Sequence, residues 1–169
     1  DSGIWSWRGV TGSTAIYEHT RGNLTQIDAY LADVLACGYR VVTVFCRHTF
    51  MHWPRIVSFE AMPSQVRAFV DYAAAHGVAS NVVIGADYEA RYEDDDHAWH
   101  PNPLARTTSQ IVGYTGDVEA ALAGALSVAG LVVCNEPPFN LEGGVDQLWK
   151  VIRELGWDWP ESRRFLTDA

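Results

Sequence analysis

The sequence lacks three features that would assign it to a broad class at once. No apolar run approaches the ~20 residues that a membrane-spanning helix needs, and the first residues do not show the basic and apolar regions of a signal peptide. Lysine and arginine number 12 against 21 aspartates and glutamates, a formal charge of -9, with no basic stripe along the chain. We therefore expect neither a membrane nor a nucleic acid as partner. An extracellular or virion-associated location is favoured over a membrane, and the localisation is otherwise open.

Several catalytic and cofactor motifs are also absent. There is no Gly-x-Ser-x-Gly elbow, no phosphate-binding Gly-x-x-x-x-Gly-Lys, no His-Glu-x-x-His and no Gly-x-Gly-x-x-Gly. The three cysteines follow no metal spacing and are interpreted as buried free thiols. An acidic loop at 93–97, followed by His100, matches no calcium or zinc template and is interpreted as a solvated loop. The sequence thus predicts no metal site and no cofactor.

What is present is an alternation of apolar strand and helix patterns. A composition of 48% hydrophobic and 20% charged residues over 169 positions indicates one globular domain, residues 1–169. The patterns predict strands at 3–7, 39–46, 78–85 and from 130, and helices at 24–37, 63–76, 108–126 and 145–155. Such an order predicts an α/β fold with four βα units and parallel strands, half of a TIM (β/α) barrel or a truncated one. A complete barrel takes ~250 residues.

The fourth predicted strand ends in the most informative motif of the chain. Its apolar run from Gly130 stops at Asn135 and Glu136, and the two prolines that follow cannot extend a central strand. In barrels of alternating strands and helices, the C-terminal ends of the strands carry the active site. Glu136 is therefore a candidate general acid or base, with a solvated turn as the alternative interpretation.

Four segments in order resemble the N-terminal half of the cellulase-like barrel glycoside hydrolases, whose acid/base lies in an Asn-Glu-Pro motif at the end of strand four. The likeness extends to the cellulase-like barrel proteins of bacteriophages and bacteria. The segments that carry the resemblance are Cys37-Gly38-Tyr39, Phe45-Cys46-Arg47, Ala86-Asp87 and Val133-Cys134-Asn135-Glu136-Pro137-Pro138-Phe139-Asn140.

The resemblance implies a role for three residues. Glu136 would protonate the leaving oxygen of a glycosidic bond and then activate water, while Asn135 would hydrogen-bond the 2-hydroxyl of the sugar. Arg47 matches the arginine at the end of strand two that holds the nucleophile ionised. The alternative interpretation of Arg47 is a surface arginine paired with any nearby acid.

Further side chains are candidates for binding the sugar. Asp87 follows the third predicted strand directly, although Asp also suits a turn there. His48 follows the second strand and is either a site residue or an ordinary loop residue. Trp5, Trp53 and Trp99 lie near long loops or a strand end, where flat aromatic faces stack on sugar rings.

The sequence departs from the family in one important respect. The family's nucleophile is a second Glu at the end of strand seven, beyond the four units found here. Strand edges of a half-barrel favour self-association, so a second copy or the remaining barrel half would complete it. Two functions therefore remain open: a glycoside hydrolase acting on a β-linked saccharide, and a non-catalytic carbohydrate-binding or structural module of a virion or surface.

Overall fold

The computed structural model describes residues 14–52, 55–85, 91–93, 98–101, 105–133 and 144–156. Five helices and seven strands are found there, in the order α1 (Ala15–Thr20), α2 (Leu24–Ala36), β1 (Val41–Phe45), β2 (Arg47–His52), β3 (Arg55–Glu60), α3 (Pro63–Ala75), β4 (Ala79–Val83), β5 (Arg91–Glu93), β6 (Trp99–Pro101), α4 (Thr108–Leu122), β7 (Val128–Val132) and α5 (Gly144–Glu154). The predicted strand at 3–7 lies outside the described residues.

The centre of the fold is a parallel sheet of three strands in the order β1-β4-β7. Strand β4 pairs with β1 on one side and with β7 on the other, both parallel. Helix α3 lies between β1 and β4 in the chain, and α4 lies between β4 and β7. The predicted α/β class with parallel strands is confirmed, and the described residues contain three of the strand–helix units.

One face of this sheet forms the hydrophobic core. Val42 and Val44 of β1, Val82 of β4 and Leu131 of β7 point to the same side, and all four are buried. They belong to a single cluster with side chains of α2, α3 and α4, namely Ile27, Leu31, Val66, Phe69, Val70, Ala73, Val118 and Leu122. Burying each large apolar side chain contributes ~1.5–3 kcal/mol, so this layer of helices on one face holds the sheet together.

The opposite face of the sheet is more polar and partly open towards its amino end, whereas Val83 and Val132 near its carboxyl end are buried. Val41 is 48% exposed, and Thr43 beside it is exposed as well. The Asn81 amide donates a hydrogen bond to the Thr43 hydroxyl at 3.4 Å, and on β7 the paired residue is Gly130. Helices therefore cover one face only among the described residues, which differs from a doubly wound sheet with helices on both faces.

Two segments that the sequence analysis treated as loops contain antiparallel hairpins. Strands β2 and β3 pair over six residues each, and the short β5 and β6 pair over three. The first hairpin follows β1 with only Cys46 between them. Pro54 interrupts the pattern between β2 and β3, and three-residue strands are too short to give an alternation, so neither hairpin was predicted.

Helix boundaries also differ from prediction in two places. Helix α1 lies between the first predicted strand and the first predicted helix, in a segment rich in Gly, Ser and Thr for which the sequence predicts neither. Helix α4 ends at Leu122 instead of 126, because Ala123 takes an extended ψ of 127° and Gly124 a positive φ. Strand β7 accordingly begins at Val128 instead of 130.

The two described cysteines differ in burial. Cys46 is buried as predicted, whereas Cys37 is exposed because it lies at the C-terminal cap of α2, outside the buried face; the prediction of burial was wrong there.

Helix α5 packs Leu148, Val151 and Ile152 against Ile111 and Val133 in a second cluster. Among the helices described, none combines the length and apolar character needed to cross a bilayer.

Candidate functional site

The carboxyl ends of the three parallel strands lie at one level. The Cys46 amide after β1 donates to the Val83 carbonyl at 2.7 Å, and the Ile84 amide after β4 donates to the Val132 carbonyl at 2.7 Å. The residues that directly follow these strands therefore lie side by side. This edge of a parallel α/β sheet is where ligand sites form, because the loops after the strands converge there.

Arg47 is the sequence-predicted site residue that the structure places at this edge. Only Cys46 separates it from β1, and it is 8% exposed. Its Nη1 lies 3.5 Å from Oε2 of Glu60, an ion pair between a buried guanidinium and a half-exposed carboxylate. Its main chain lies against Gly85, which follows β4 with a φ of +67°. The interpretation of Arg47 as a surface arginine is therefore wrong, although it does pair with a nearby acid.

Glu60 holds two arginines rather than one. It is the last residue of β3 and the cross-strand partner of Arg47 in the hairpin. The same Oε2 that faces Arg47 also contacts Nη2 of Arg106. One carboxylate thus lies between two guanidinium groups.

Arg106 reaches the cluster from the segment before α4. Its side chain is 12% exposed, and its guanidinium lies over the Tyr114 ring, 5.3 Å from the ring centre. Its carbonyl accepts a hydrogen bond from the Gln147 side-chain amide at 2.9 Å, which ties it to α5. Burial first, and then the positive charge of Arg47, lower the pKa of Arg106 to about 10.

Tyr114 connects α4 to the end of the hairpin. Its hydroxyl donates to the Ala61 carbonyl at 2.7 Å. Burial, followed by the neighbouring Cys46, raises the pKa of Tyr114. Burial also raises the pKa of the Cys46 thiol to about 12, and a hydrogen bond with Tyr114 opposes this only in part. The thiol is protonated at neutral pH and is not a nucleophile.

The charged groups of this cluster are two guanidinium groups and one carboxylate. Such an arrangement can orient a ligand and hold it in place. Proton transfer at this edge would need another group, and Glu136 lies three residues after Val133 in the sequence. In the described part of the chain, no three His, Cys, Asp or Glu side chains come together to hold a metal ion.

The other predicted site residues are placed only in part. His48 lies in β2, opposite Phe59 of β3, and Trp99 lies in β6, opposite Glu93. Asn135, Glu136, Asp87, Trp5 and Trp53 lie outside the described residues.

A second polar cluster lies at the other end of the sheet, before β4 begins. The Tyr72 hydroxyl donates to Oδ1 of Asp28 at 2.5 Å, and Nε2 of His76 lies 3.3 Å from the same oxygen. The Tyr72 and His76 rings are 4.7 Å apart. These contacts join α2 to α3 on the exposed side of the helices, at the end of the sheet where side chains serve stability rather than chemistry in barrels of this kind.

Sequence reasoning missed Glu60, Arg106 and Tyr114. A signal for Glu60 was present: two six-residue runs on either side of Trp53-Pro54 would pair Arg47 with Glu60 if read as a hairpin with a two-residue turn. Arg106 and Tyr114 carry no comparable signal, because only the packing of α4 against the hairpin brings them to the edge.

No family model, curated protein or solved structure matches this chain. The chemistry of the sheet edge is thus the basis for assigning a function.

Proposed function

We propose that the chain forms part of a cellulase-like (βα) barrel of the glycoside hydrolase kind, acting on a β-linked saccharide with Glu136 as general acid/base. The observation that carries this proposal is the buried Arg47 at the carboxyl end of β1, with its guanidinium facing a carboxylate. An arginine that keeps a carboxylate ionised at this position is what the cellulase-like resemblance implies.

The sheet topology supports a barrel in preference to a doubly wound fold. The three parallel strands follow each other in chain order, β1-β4-β7, and α2, α3 and α4 share one core cluster on a single face of the sheet. A doubly wound sheet reverses its strand order and has helices on both faces. A barrel keeps the order and places every helix outside.

Glu136 and Asn135 act at the same edge in this proposal. Asn135 follows the last residue of β7 by three residues and Glu136 by four. The end of this strand is level with Ile84. Glu136 donates its proton to the leaving oxygen as the glycosidic bond breaks, and Asn135 hydrogen-bonds the 2-hydroxyl. A retaining mechanism also needs a nucleophilic carboxylate ~5 Å from Glu136. Strands that close the barrel, from a second copy or from further chain, supply this group.

The test is hydrolysis of a panel of β-linked polysaccharides, followed as release of reducing sugar. We expect release by the unaltered protein and a loss of at least ~100-fold in Glu136→Gln, in line with the usual contribution of general acid–base catalysis. Glu119→Gln is the matched control, because Glu119 is an exposed carboxylate on α4. Equal rates in Glu136→Gln and Glu119→Gln would remove Glu136 from the mechanism.

A second candidate function is a non-catalytic carbohydrate-binding or structural module. The observation in its favour is that Glu60, from the chain's own hairpin, is the carboxylate that Arg47 faces. In that case the arginine stabilises the fold and serves no nucleophile. Saccharide binding measured by calorimetry, together with no reducing-sugar release by the unaltered protein, would select this function.

A further inference from the structure

We infer that Glu60 is a positioning residue whose carboxylate holds Arg47 and Arg106 together at the carboxyl edge of the sheet. The space between the two guanidinium groups, here called the seat, fits a carboxylate group. The part of this inference that concerns catalysis rests on the proposed function. The part that concerns the seat does not, and it is tested without any substrate.

The charges require an anion at this point. The side chains of Arg47 and Arg106 are 6% and 12% exposed, so water screens neither guanidinium well. Both contact the same oxygen of Glu60. Two buried cations close together repel each other, and removing the partner of a buried charge is strongly unfavourable. The negative charge of Glu60 reduces the repulsion between the two guanidinium groups and gives each of them an anionic partner.

The main chain fixes Glu60 from two directions. Its cross-strand pairing places it opposite Arg47, and the next residue, Ala61, donates its amide to the Cys46 carbonyl at 2.8 Å. The Ala61 carbonyl accepts the Tyr114 hydroxyl at 2.7 Å. The carboxylate is therefore held by the sheet on one side and by α4 on the other.

The exposure of the three side chains distinguishes positioning from an ordinary surface ion pair. Glu60 is 37% exposed while its arginines are buried beneath it. The Arg67–Asp71 pair on α3 differs in exposure, because both of its side chains reach solvent, at 34% and 53% exposed. Loss of Asp71 leaves Arg67 partly exposed and still bonded to the Ala121 and Ala123 carbonyls, whereas loss of Glu60 removes a carboxylate shared by two guanidinium groups that water reaches poorly.

Chemical rescue is the direct test. Glu60→Ala removes the carboxylate and leaves space for a small one. We expect a lower Tm than that of the unaltered protein, and a saturable rise in Tm with sodium formate that sodium chloride at the same ionic strength does not produce. Asp71→Asn is the matched control and should show neither effect. A Glu60→Ala protein as stable as the unaltered one, or one that formate and chloride stabilise equally, would overturn the inference.

A second variant covers the case in which Glu60→Ala does not fold. Glu60→Gln keeps the shape and removes the charge. We expect it to lower the Tm in the natural background and to lower it less in an Arg106→Gln background, because there the carboxylate offsets one positive charge instead of two. The same Tm loss in both backgrounds would overturn the inference.

Activity separates positioning from a purely structural role. If the unaltered protein hydrolyses a polysaccharide, Glu60→Gln should lose at least tenfold in kcat/KM at a temperature where it is fully folded, and Glu60→Asp should recover part of that loss. Full kcat/KM in folded Glu60→Gln would confine Glu60 to stability and overturn its positioning role. If the unaltered protein hydrolyses nothing, the proposed function fails, while the formate result still decides whether the seat exists.

Discussion

Gly85 lies directly against the main chain of Arg47. A Cβ atom on Gly85 would be 3.1 Å from the Arg47 carbonyl oxygen and 3.4 Å from its Cβ. Gly85 also has a φ of +67°, a conformation that side chains other than glycine rarely adopt. The absence of a side chain after β4 thus allows Arg47 to lie close to the sheet after β1.

Replacing Gly85 by Ala should therefore lower the free energy of unfolding through two effects. The left-handed conformation costs ~1–2 kcal/mol, and the approach to a backbone oxygen, which cannot rotate away, adds to this. Gly124→Ala is the matched control, since Gly124 has a φ of +72° with nothing within 4 Å of an added Cβ. Urea unfolding of both variants checks the difference, and equal losses would contradict the close packing of Gly85 on Arg47.

Tyr114→Phe should be destabilising although it removes a single oxygen. Ala61 is buried, so its carbonyl would lose the hydroxyl that it accepts at 2.7 Å. An unsatisfied buried acceptor costs ~1–3 kcal/mol. In Tyr39→Phe, where the side chain is 67% exposed, we expect a change within ~0.5 kcal/mol. Chemical denaturation of the two variants measures the difference, and a Tyr114→Phe protein as stable as Tyr39→Phe would contradict this contact.

The two described cysteines should differ in reactivity. Cys46 is buried with its pKa raised to about 12, whereas Cys37 is exposed. Since the thiolate is the reactive form, Cys37 should be alkylated at least ~100-fold faster near pH 8. Mass spectrometry of the separate peptides after brief iodoacetamide treatment reports each rate. Comparable labelling of Cys46 in the folded protein would contradict its burial.

His19 should make stability fall in mild acid. It packs on the Phe69 ring at 5.8 Å, and burial lowers its pKa from 6.5. The unfolded chain then binds a proton at a higher pH than the folded one, so the free energy of unfolding decreases as the pH falls through and below 6.5. His19→Leu should show a smaller decrease between about pH 7.5 and pH 5.5 than the unaltered protein. An identical decrease in both would contradict the burial of His19.

The sequence was sufficient for those elements whose pattern is local. Helix α3 was predicted at 63–76 and runs Pro63–Ala75, because Pro63 opens it and its apolar residues recur on one face. Strands β1 and β4 were predicted within two residues of their bounds. Continuous apolar runs between short turns indicate buried parallel strands, so these strands could be located without knowing their partners.

Features that depend on which strands pair, and on which helix packs against them, could not be predicted from local sequence patterns. Glu60 looks like one exposed acid among many until the hairpin register places it opposite Arg47. Arg106 precedes a helix in the sequence, and only packing over Tyr114 brings it to the same carboxylate. The sequence therefore predicts the arginine at this edge but neither of the two residues that the structure places beside it.

Both the proposed hydrolase and a carbohydrate-binding module would bind saccharide at the carboxyl edge of the parallel sheet, and this is the central proposal. Hydrogen–deuterium exchange with and without soluble β-linked oligosaccharides tests it most directly. We predict that the sugar slows exchange in peptides covering 44–47 and 83–85, at the carboxyl ends of β1 and β4, and leaves 39–41 and 126–128, at the amino ends of β1 and β7, unchanged. Unchanged exchange at 44–47 and 83–85, or protection confined to 39–41 and 126–128, would contradict it.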